Sequence, residues 1–456
     1  MIKTSAIFLF LKYCLGNKVD ISKVVANLDW RQLYTFAFKQ SLLGFCFDGI
    51  ERLGKEYSEE LKKNPISREL LMTWMGKAQQ IRRQNMKVNV VADKLFSMLR
   101  EDGLRCCILK GQGNALMYPN AYSRNPGDID VWVNASREDI TEYAKTHFKL
   151  EDDIRFHHLE TTMDGVPVEL HFFPCSMNNP INNARLQKWF KRNTDLQYSN
   201  VVSLPDGIGE IAIPTTAFNV IYQLTHLYHH FFDEGIGMRQ IIDYFLVVND
   251  FSKNVFLNNE FFESPRPSLA KEGSTFSPSP SSSGSGDVTA PSRCSEPLRS
   301  KVGGPSKVSP DCAGWDRLDA IGDKVSDASA SSASTADSSA STALDGVQKE
   351  LKHLGLWKFA GAVMYVLHEA LGLSEEKMIA PMDEKRGKLL LEEILNGGNF
   401  GQHFAKYGHF TQQGMAKKYF LKIWRNMHFV RYYPAEALCE PIFRTWHFFW
   451  RIKNKK

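Results

Sequence analysis

No CxxC pair, no HExxH run and no apolar stretch of membrane-spanning length occurs in the 456 residues. The first two absences remove the usual signatures of a zinc ribbon, a thiol redox motif and a metalloprotease helix. The third leaves nothing obvious to cross a bilayer. The eight cysteines follow no regular spacing, and Cys106 and Cys107 are adjacent in an apolar run, where strand side chains face opposite ways. They read as reduced core residues, which excludes a disulfide scaffold and leads us to expect a cytoplasmic location. Lys12 interrupts the apolar "SAIFLFL" and no small-residue cleavage site follows, so no signal peptide is expected. A strongly basic whole is also missing. The formal net charge is +5, yet residues 417–456 alone carry ten Lys or Arg against two Glu, so the remainder is slightly acidic. That balance argues against a polymerase working on long duplexes.

What is present is a set of carboxylates between Leu104 and Phe173. In "RNPGDIDVWV", Asp128 and Asp130 are two apart in a β-preferring run, so both side chains are expected on one strand face. In "DGVPVELHFF", Asp164 and Gly165 signal a two-residue hairpin turn, and Val166, Val168 and Leu170 leave Glu169 on the opposite face. Oxygen ligands of this kind suit Mg2+ or Mn2+, which take a few carboxylates together with substrate phosphates. Upstream, an apolar strand ends in Lys110, Gly111, Gln112 and Gly113 before a helix-compatible stretch. Glycine lets backbone approach a ligand, and helix N-termini offer free N–H groups to phosphate. A phosphate seat beside a metal seat implies a nucleoside triphosphate. The plainer alternative is that Asp128 and Asp130 solvate the open end of a strand and Glu169 the face of a hairpin.

Around this stretch the pattern is helical. Trp30, Leu33, Tyr34 and Phe36 recur at helical spacing behind Asp29 as N-cap, and a second run extends from Ser67 to Arg100. "ASREDITEYAKTHF" is expected as a helix capped by Ser136, and "RFHHLETTM" is expected to pair with "VPVELHFF". His171 shares the face of Glu169 and either contacts phosphate or a substrate hydroxyl, or is a satisfied histidine beside the carboxylates. His226 and His230, four apart on one helical face, either line the nucleotide side of a cleft with Arg239 and Asp243 or form a buried polar network. Residues 251–343 are rich in Ser, Ala, Gly and Pro, cannot bury enough apolar surface to order, and read as a disordered insertion. The aromatic and basic run 417–456 either contacts nucleic acid or a membrane surface, or forms an amphipathic helical hairpin with Trp424, Phe429, Phe443, Trp446 and Phe449 inward, broken near Pro434 and Pro441.

The order of strand, glycine turn, helix and "GDIDVWV", followed by a strand carrying a third carboxylate, resembles the DNA polymerase beta-like nucleotidyltransferase superfamily. More narrowly, "LKG", "MYP", Arg124 before "GDIDVWV", "VELHFF", "QLTHLYHH" and "MRQIIDYFLV" resemble a poorly characterised bacterial nucleotidyltransferase family with a large helical remainder. The resemblance implies an α+β fold in which a minimal core, residues 101–200, is embedded in helices spanning 1–100, 201–250 and 344–456. It implies that Asp128, Asp130 and Glu169 ligate metal and act in catalysis. Lys110, Gly111, Gln112 and Arg124, with His171, His226, His230 and Arg239, are the expected nucleotide contacts. The reaction would move a nucleoside monophosphate from a triphosphate to a hydroxyl on a small molecule, a sugar, a protein or an RNA end. A non-catalytic nucleotide-binding or scaffold protein of the same fold is the alternative.

Overall fold

The computed structural model describes residues 4–257, 332–403 and 415–454. The described residues belong to one compact unit. Six helices precede the first strand: α1 (Thr4–Cys14), α2 (Ile21–Asn27), α3 (Trp30–Lys39), α4 (Leu43–Glu56), α5 (Ser58–Lys63) and the long α6 (Arg68–Glu101). Their starts follow the expected capping chemistry. Asp29 accepts hydrogen bonds from the Arg31 and Gln32 amides, and Ser67 accepts from Leu70.

The sheet follows, with β1 (Cys106–Leu109), the single-turn α7 (Gly111–Ala115), β2 (Ile129–Val133), α8 (Arg137–His147), β3 (Leu150–Ile154), β4 (His158–Met163) and β5 (Val166–His171). Strand order is β1-β2-β5-β4-β3, all neighbours antiparallel except β2 and β5, which run parallel. This is the mixed sheet flanked by helices, an α+β fold, that the sequence leads one to expect. The expected hairpin turns at Asp164 (φ 49°) and Gly165 (φ 73°), the two positive φ angles that a two-residue hairpin loop demands.

Period-two alternation sorts the sheet's side chains between two apolar cores. Cys106, Ile108, Ile129, Val131, Val133, Val168 and Leu170 join the inner face of α6, the α8 residues Ile140 and Ala144, and the small hairpin β6 (Val201–Ser203) and β7 (Glu210–Ala212). Cys107, Leu109 and Trp132 face the other way, into a larger core built with α1–α4 and the later helices. Those are α9 (Pro180–Arg192), α10 (Thr194–Ser199), α11 (Thr216–Asp233), α12 (Met238–Leu257), α13 (Ser332–His353), α14 (Trp357–Leu371), α15 (Glu384–Gly397), α16 (Met415–Met427) and α17 (Pro434–Asn454). The sheet therefore divides the unit, and only its second face offers polar groups (Asp130, Glu169, His171) to the helical body. None of the described helices is long and apolar enough to cross a membrane.

Two expectations about the flanks need correction. Helix α12 runs to Leu257 with Phe251 and Ser252 buried, and α13 begins at Ser332, so the compositional edges at 251 and 343 fall inside helices. Residues 258–331 lie outside the described residues. In the C-terminal pair Phe429 is buried, but Trp424, Trp446 and Phe449 are 48%, 45% and 64% exposed. The buried stripe of α17 is Glu436, Ala437, Glu440 and Arg444, at helical spacing, which turns Leu438, Ile442 and Phe449 outward, while Phe443 and the half-covered Trp446 pack on Phe156 (ring centroids 6.1 and 5.1 Å). Pro434 opens α17, and Pro441 sits inside it without ending it.

These helices dock through polar groups. Arg425 bonds Glu393 and the Phe231 carbonyl, Arg444 reaches Asp233 at 2.6 Å, and Glu436 accepts from the Asn178 and Asn179 amides just beyond β5. Burial pushes the Glu436 carboxyl up to about 7, despite those two amides. Below its unfolded value of 4.5 both states are protonated and the group costs nothing. As pH rises towards 7 the unfolded chain releases its proton first, so stability is lost across that window, by at most about 3 kcal/mol. The stability of Glu436→Gln relative to wild type should therefore climb between pH 4 and pH 8. A difference in unfolding free energy that is flat with pH would contradict this.

Candidate active site

Register positions the acids. Asp130 on β2 lies directly across from Glu169 on β5, Glu160 on β4 is across from Glu169, and His158 is across from His171. Asp130, Glu169, His158 and His171 line a cavity of about 330 Å3 between the sheet and α11, with α12 closing one side. Asp130 is buried. Its Oδ1 is 3.1 Å from both the Lys110 ammonium and His171 Nε2. His171 Nε2 is also 3.1 Å from Glu169 Oε2, so one imidazole bridges the two acids.

Burial alone would raise the Asp130 carboxyl, but Lys110 and the His171 hydrogen bond overcome it and hold the group far below the usual range. Glu169 moves the other way. Burial, reinforced by Asp130, pushes it up to about 7 against the His171 hydrogen bond. His171 is raised to about 9, burial being outweighed by its bonds to the two acids. Asp128, just before β2 and exposed at the rim, is raised first by the charge of Asp130 and then by burial. Two acids with opposed shifts and one charged imidazole form a pre-polarised cluster, the kind of arrangement found where proton transfer is needed.

Lys110 ends β1 at φ 51°, ψ −122°, unusual for a residue with a side chain, and Gly111 follows at φ 34°. This turn drives the Lys110 side chain back over the sheet. Burial works against its charge, but Asp130, Asp128 and Glu169 outweigh it and keep it protonated. Of three ammonium protons, Asp130 takes one and His226 Nε2, 2.8 Å away, another. His226 accepts because burial and Lys110 keep its pKa well below the ordinary value, and His230 Nε2 lies 3.1 Å beyond. The third proton is left for a ligand. Gly113 permits a close approach, since a Cβ there would stand 3.0 Å from Ile213 Cγ2.

Most candidates line the cavity: Lys110, Gly111, Arg124, Asp128, Asp130, Glu169, His171, His226, His230 and Arg239. Gln112 does not. Its side chain is buried and donates to Asn89 on α6, so only its backbone remains for a ligand. Arg124 is committed elsewhere, donating from Nε (2.9 Å) and Nη2 (2.8 Å) to the two oxygens of Asp243, which also accepts from Tyr118 at 2.7 Å. Asp243 raises the Arg124 pKa despite burial. Arg239 donates to the Asn125 carbonyl at 3.0 Å and has a buried Nε with no hydrogen-bond partner. His226 and His230 line the cavity and also form a polar chain from Lys110.

Sequence reasoning missed His157, His158, Arg155, His229 and Glu234, all on the cavity wall. A signal for His158 was present. A two-residue turn at Asp164 and Gly165 fixes the pairing, and counting outward puts His158 across from His171 and Glu160 across from Glu169.

Three groups of potential metal ligands occur among the described residues: Asp130 with Glu169 and His171; His157 with His158 and His171; and His158 with Glu160 and Glu169. In each, the ligand atoms lie within 4.8 Å of one another. The first suits a divalent cation such as Mg2+ or Mn2+, with carboxylate oxygens from two strands and open space towards the cavity. Asp128 belongs to none of the three, so its part in a metal seat would be played from the rim.

The model of a family described as uncharacterised nucleotidyltransferase matches residues 26–267, more than half of the chain, and the protein belongs to that family. The match spans every strand and α11. Among solved structures, an antigenic nucleotidyltransferase-like protein from Paracoccidioides brasiliensis is similar, at 16% identity over 35% of this chain and 75% of its own, with a TM-score of 0.24. Curated proteins contain no significant match.

The commitment of Arg124 to Asp243 separates structure from ligand binding. Arg124→Leu strands a buried carboxylate and should lower unfolding free energy by about 3–5 kcal/mol, whereas Arg124→Leu with Asp243→Leu should recover much of it. Urea unfolding of both variants checks this. A fully stable single variant would free Arg124 for a role at the ligand.

Proposed function

We propose that this cavity transfers a nucleoside monophosphate from a nucleoside triphosphate to a hydroxyl, on a variant of the DNA polymerase beta-like nucleotidyltransferase core. The observation that carries the reading is the in-register pair Asp130 and Glu169 on parallel strands, with a buried lysine reaching Asp130 from a glycine turn. Family membership supports the reaction class. Asp130 and Glu169, with Asp128 from the rim and His171 between them, are the residues that would hold Mg2+ or Mn2+. Such an ion supplies charge neutralisation for the phosphates and Lewis acidity at the reacting oxygens.

The chain's own groups account for the rest. Lys110 offers its third proton to a phosphate oxygen, and the Gly111 backbone leaves room for the phosphates to approach. Arg239 adds positive charge from α12, where water is scarce and a charge acts more strongly. The acceptor oxygen attacks the α-phosphorus, the bond to the β-phosphate oxygen breaks, and pyrophosphate leaves. The hydroxyl proton passes to Glu169, directly or through water. His171 holds Glu169 and Asp130 in place. The acceptor is a small molecule, a sugar, a protein side chain or an RNA end, and a cytoplasmic setting agrees with the free cysteines of the described residues, all buried except Cys439.

Glu169→Gln should separate binding from chemistry. Asp130, Asp128 and Lys110 remain to hold the triphosphate, so affinity by calorimetry should change by less than about tenfold. Single-turnover transfer should fall by several orders of magnitude, on the scale of losing combined metal and base assistance. Equal loss of both would contradict this division of roles, and unchanged transfer would remove Glu169 from the chemistry.

A further inference from the structure

Six of the thirteen histidines line one cavity: His157, His158, His171, His226, His229 and His230. His226 and His230 are used by Lys110. His229 is on α11 with them, and the remaining three rings cluster on the sheet wall, where His157 precedes β4, His158 begins it and His171 ends β5. The ring centroids are 4.2 Å apart for His157 and His158, 5.0 Å for His158 and His171, and 5.4 Å for His157 and His171. The His157 backbone is fixed by a hydrogen bond from the Phe172 amide to its carbonyl (2.9 Å), so this is a placed group and not a loop tip.

We propose that His157, His158 and His171 form a second cation seat, one that takes a borderline divalent ion such as Zn2+ through imidazole nitrogens, beside the oxygen-rich seat of Asp130 and Glu169. One ring nitrogen from each of the three lies within 4.8 Å of the others. The independent observation is what the remaining nitrogens do. His171, 2% exposed, directs Nε2 at Asp130 and Glu169, while its Nδ1 is buried without a hydrogen-bond partner. His158, 3% exposed, places Nε2 3.3 Å from Glu160 and Nδ1 3.2 Å from Glu169 Oε2, so carboxylates hold its ring from both sides. An orphaned buried ring nitrogen is costly, and His171 Nδ1 has no protein group among the described residues to satisfy it. A ring held by a carboxylate at one nitrogen, with the other left open, is the usual setting of a histidine that ligates metal. Three imidazoles with an open direction towards the cavity fit zinc, which leaves its fourth position to water or substrate in catalytic sites. Mg2+ prefers oxygen and does not compete well for such donors. On this reading the cavity carries two cation seats of different hardness, with Glu169 and His171 as their common wall.

The test uses the full chain stripped of metal and titrated with Co2+, whose visible absorption reports nitrogen coordination. One equivalent should produce a ligand-field band that Zn2+ abolishes and a large excess of Mg2+ leaves in place. His157→Leu, at a half-buried position, should weaken Co2+ affinity on the order of 100-fold, no less than changes to a ligand's hydrogen-bond partners do. His158→Leu should do the same, and thermal melts confirm that each variant is folded. Absence of the band in wild type, its displacement by Mg2+, or undiminished affinity in a folded His157→Leu would overturn the proposal. The band is read without triphosphate. Wild type that shows it yet binds no triphosphate would support the nitrogen seat while counting against nucleotidyl transfer.

Discussion

Asp130 is a buried carboxylate, and the structure around it is arranged to keep it charged. Leaving a carboxylate unpaired in a low-dielectric interior costs several kcal/mol, so it persists only where cations and donors are fixed against it. Two are present, and each comes at a cost elsewhere. Lys110 reaches Asp130 because β1 ends in a backbone conformation that residues with side chains rarely adopt, a strain of roughly 1–3 kcal/mol. His171 reaches it because β2 and β5 run parallel in a register that sets Asp130 against Glu169 and Trp132 against His171. Removing Asp130 would leave the turn strained and a buried ammonium without its nearest counter-charge.

The same contacts join the sheet to the helical body. Lys110 continues to His226 and His230 on α11, and Arg124, just before β2, is clamped by Asp243 of α12. Apolar packing supplies the bulk of the fold's stability, through two cores divided by the sheet. Those cores do not decide where the site is. It lies where the larger core gives way to polar groups on the sheet and α11.

Much of this was legible in the chain. The alternation around Asp130 and Glu169, the Asp164 and Gly165 turn, and the caps at Asp29 and Ser136 are local signals, and local physics set them. Where longer-range contacts decide, the sequence was silent or misleading. Gln112 sits in a glycine turn that suggests phosphate, yet a neighbouring Asn89 on α6 captures its side chain. Arg124 sits beside the acids in sequence, but Asp243, far along the chain, claims it. In the C-terminal helices aromatic content suggested an inward apolar stripe. The docking surface is largely charged, so Arg425, Glu436 and Arg444 face in while Phe449 faces out and only the Phe443 and Trp446 edge packs on Phe156. Strand pairing gave the clearest lost opportunity, because the turn that located Glu169 also determined the place of His158.

The central claim is that the cavity around Asp130 performs nucleotidyl transfer. The most direct measurement incubates the purified chain with magnesium, α-labelled nucleoside triphosphates and a cell extract as the source of acceptor. The account predicts that label becomes attached to an acceptor in amounts equal to the pyrophosphate released, with neither product formed by Asp130→Asn. Tight triphosphate binding without labelled acceptor or pyrophosphate, under any of the four common nucleotides, would contradict it and leave a nucleotide-binding protein that kept the fold without the reaction.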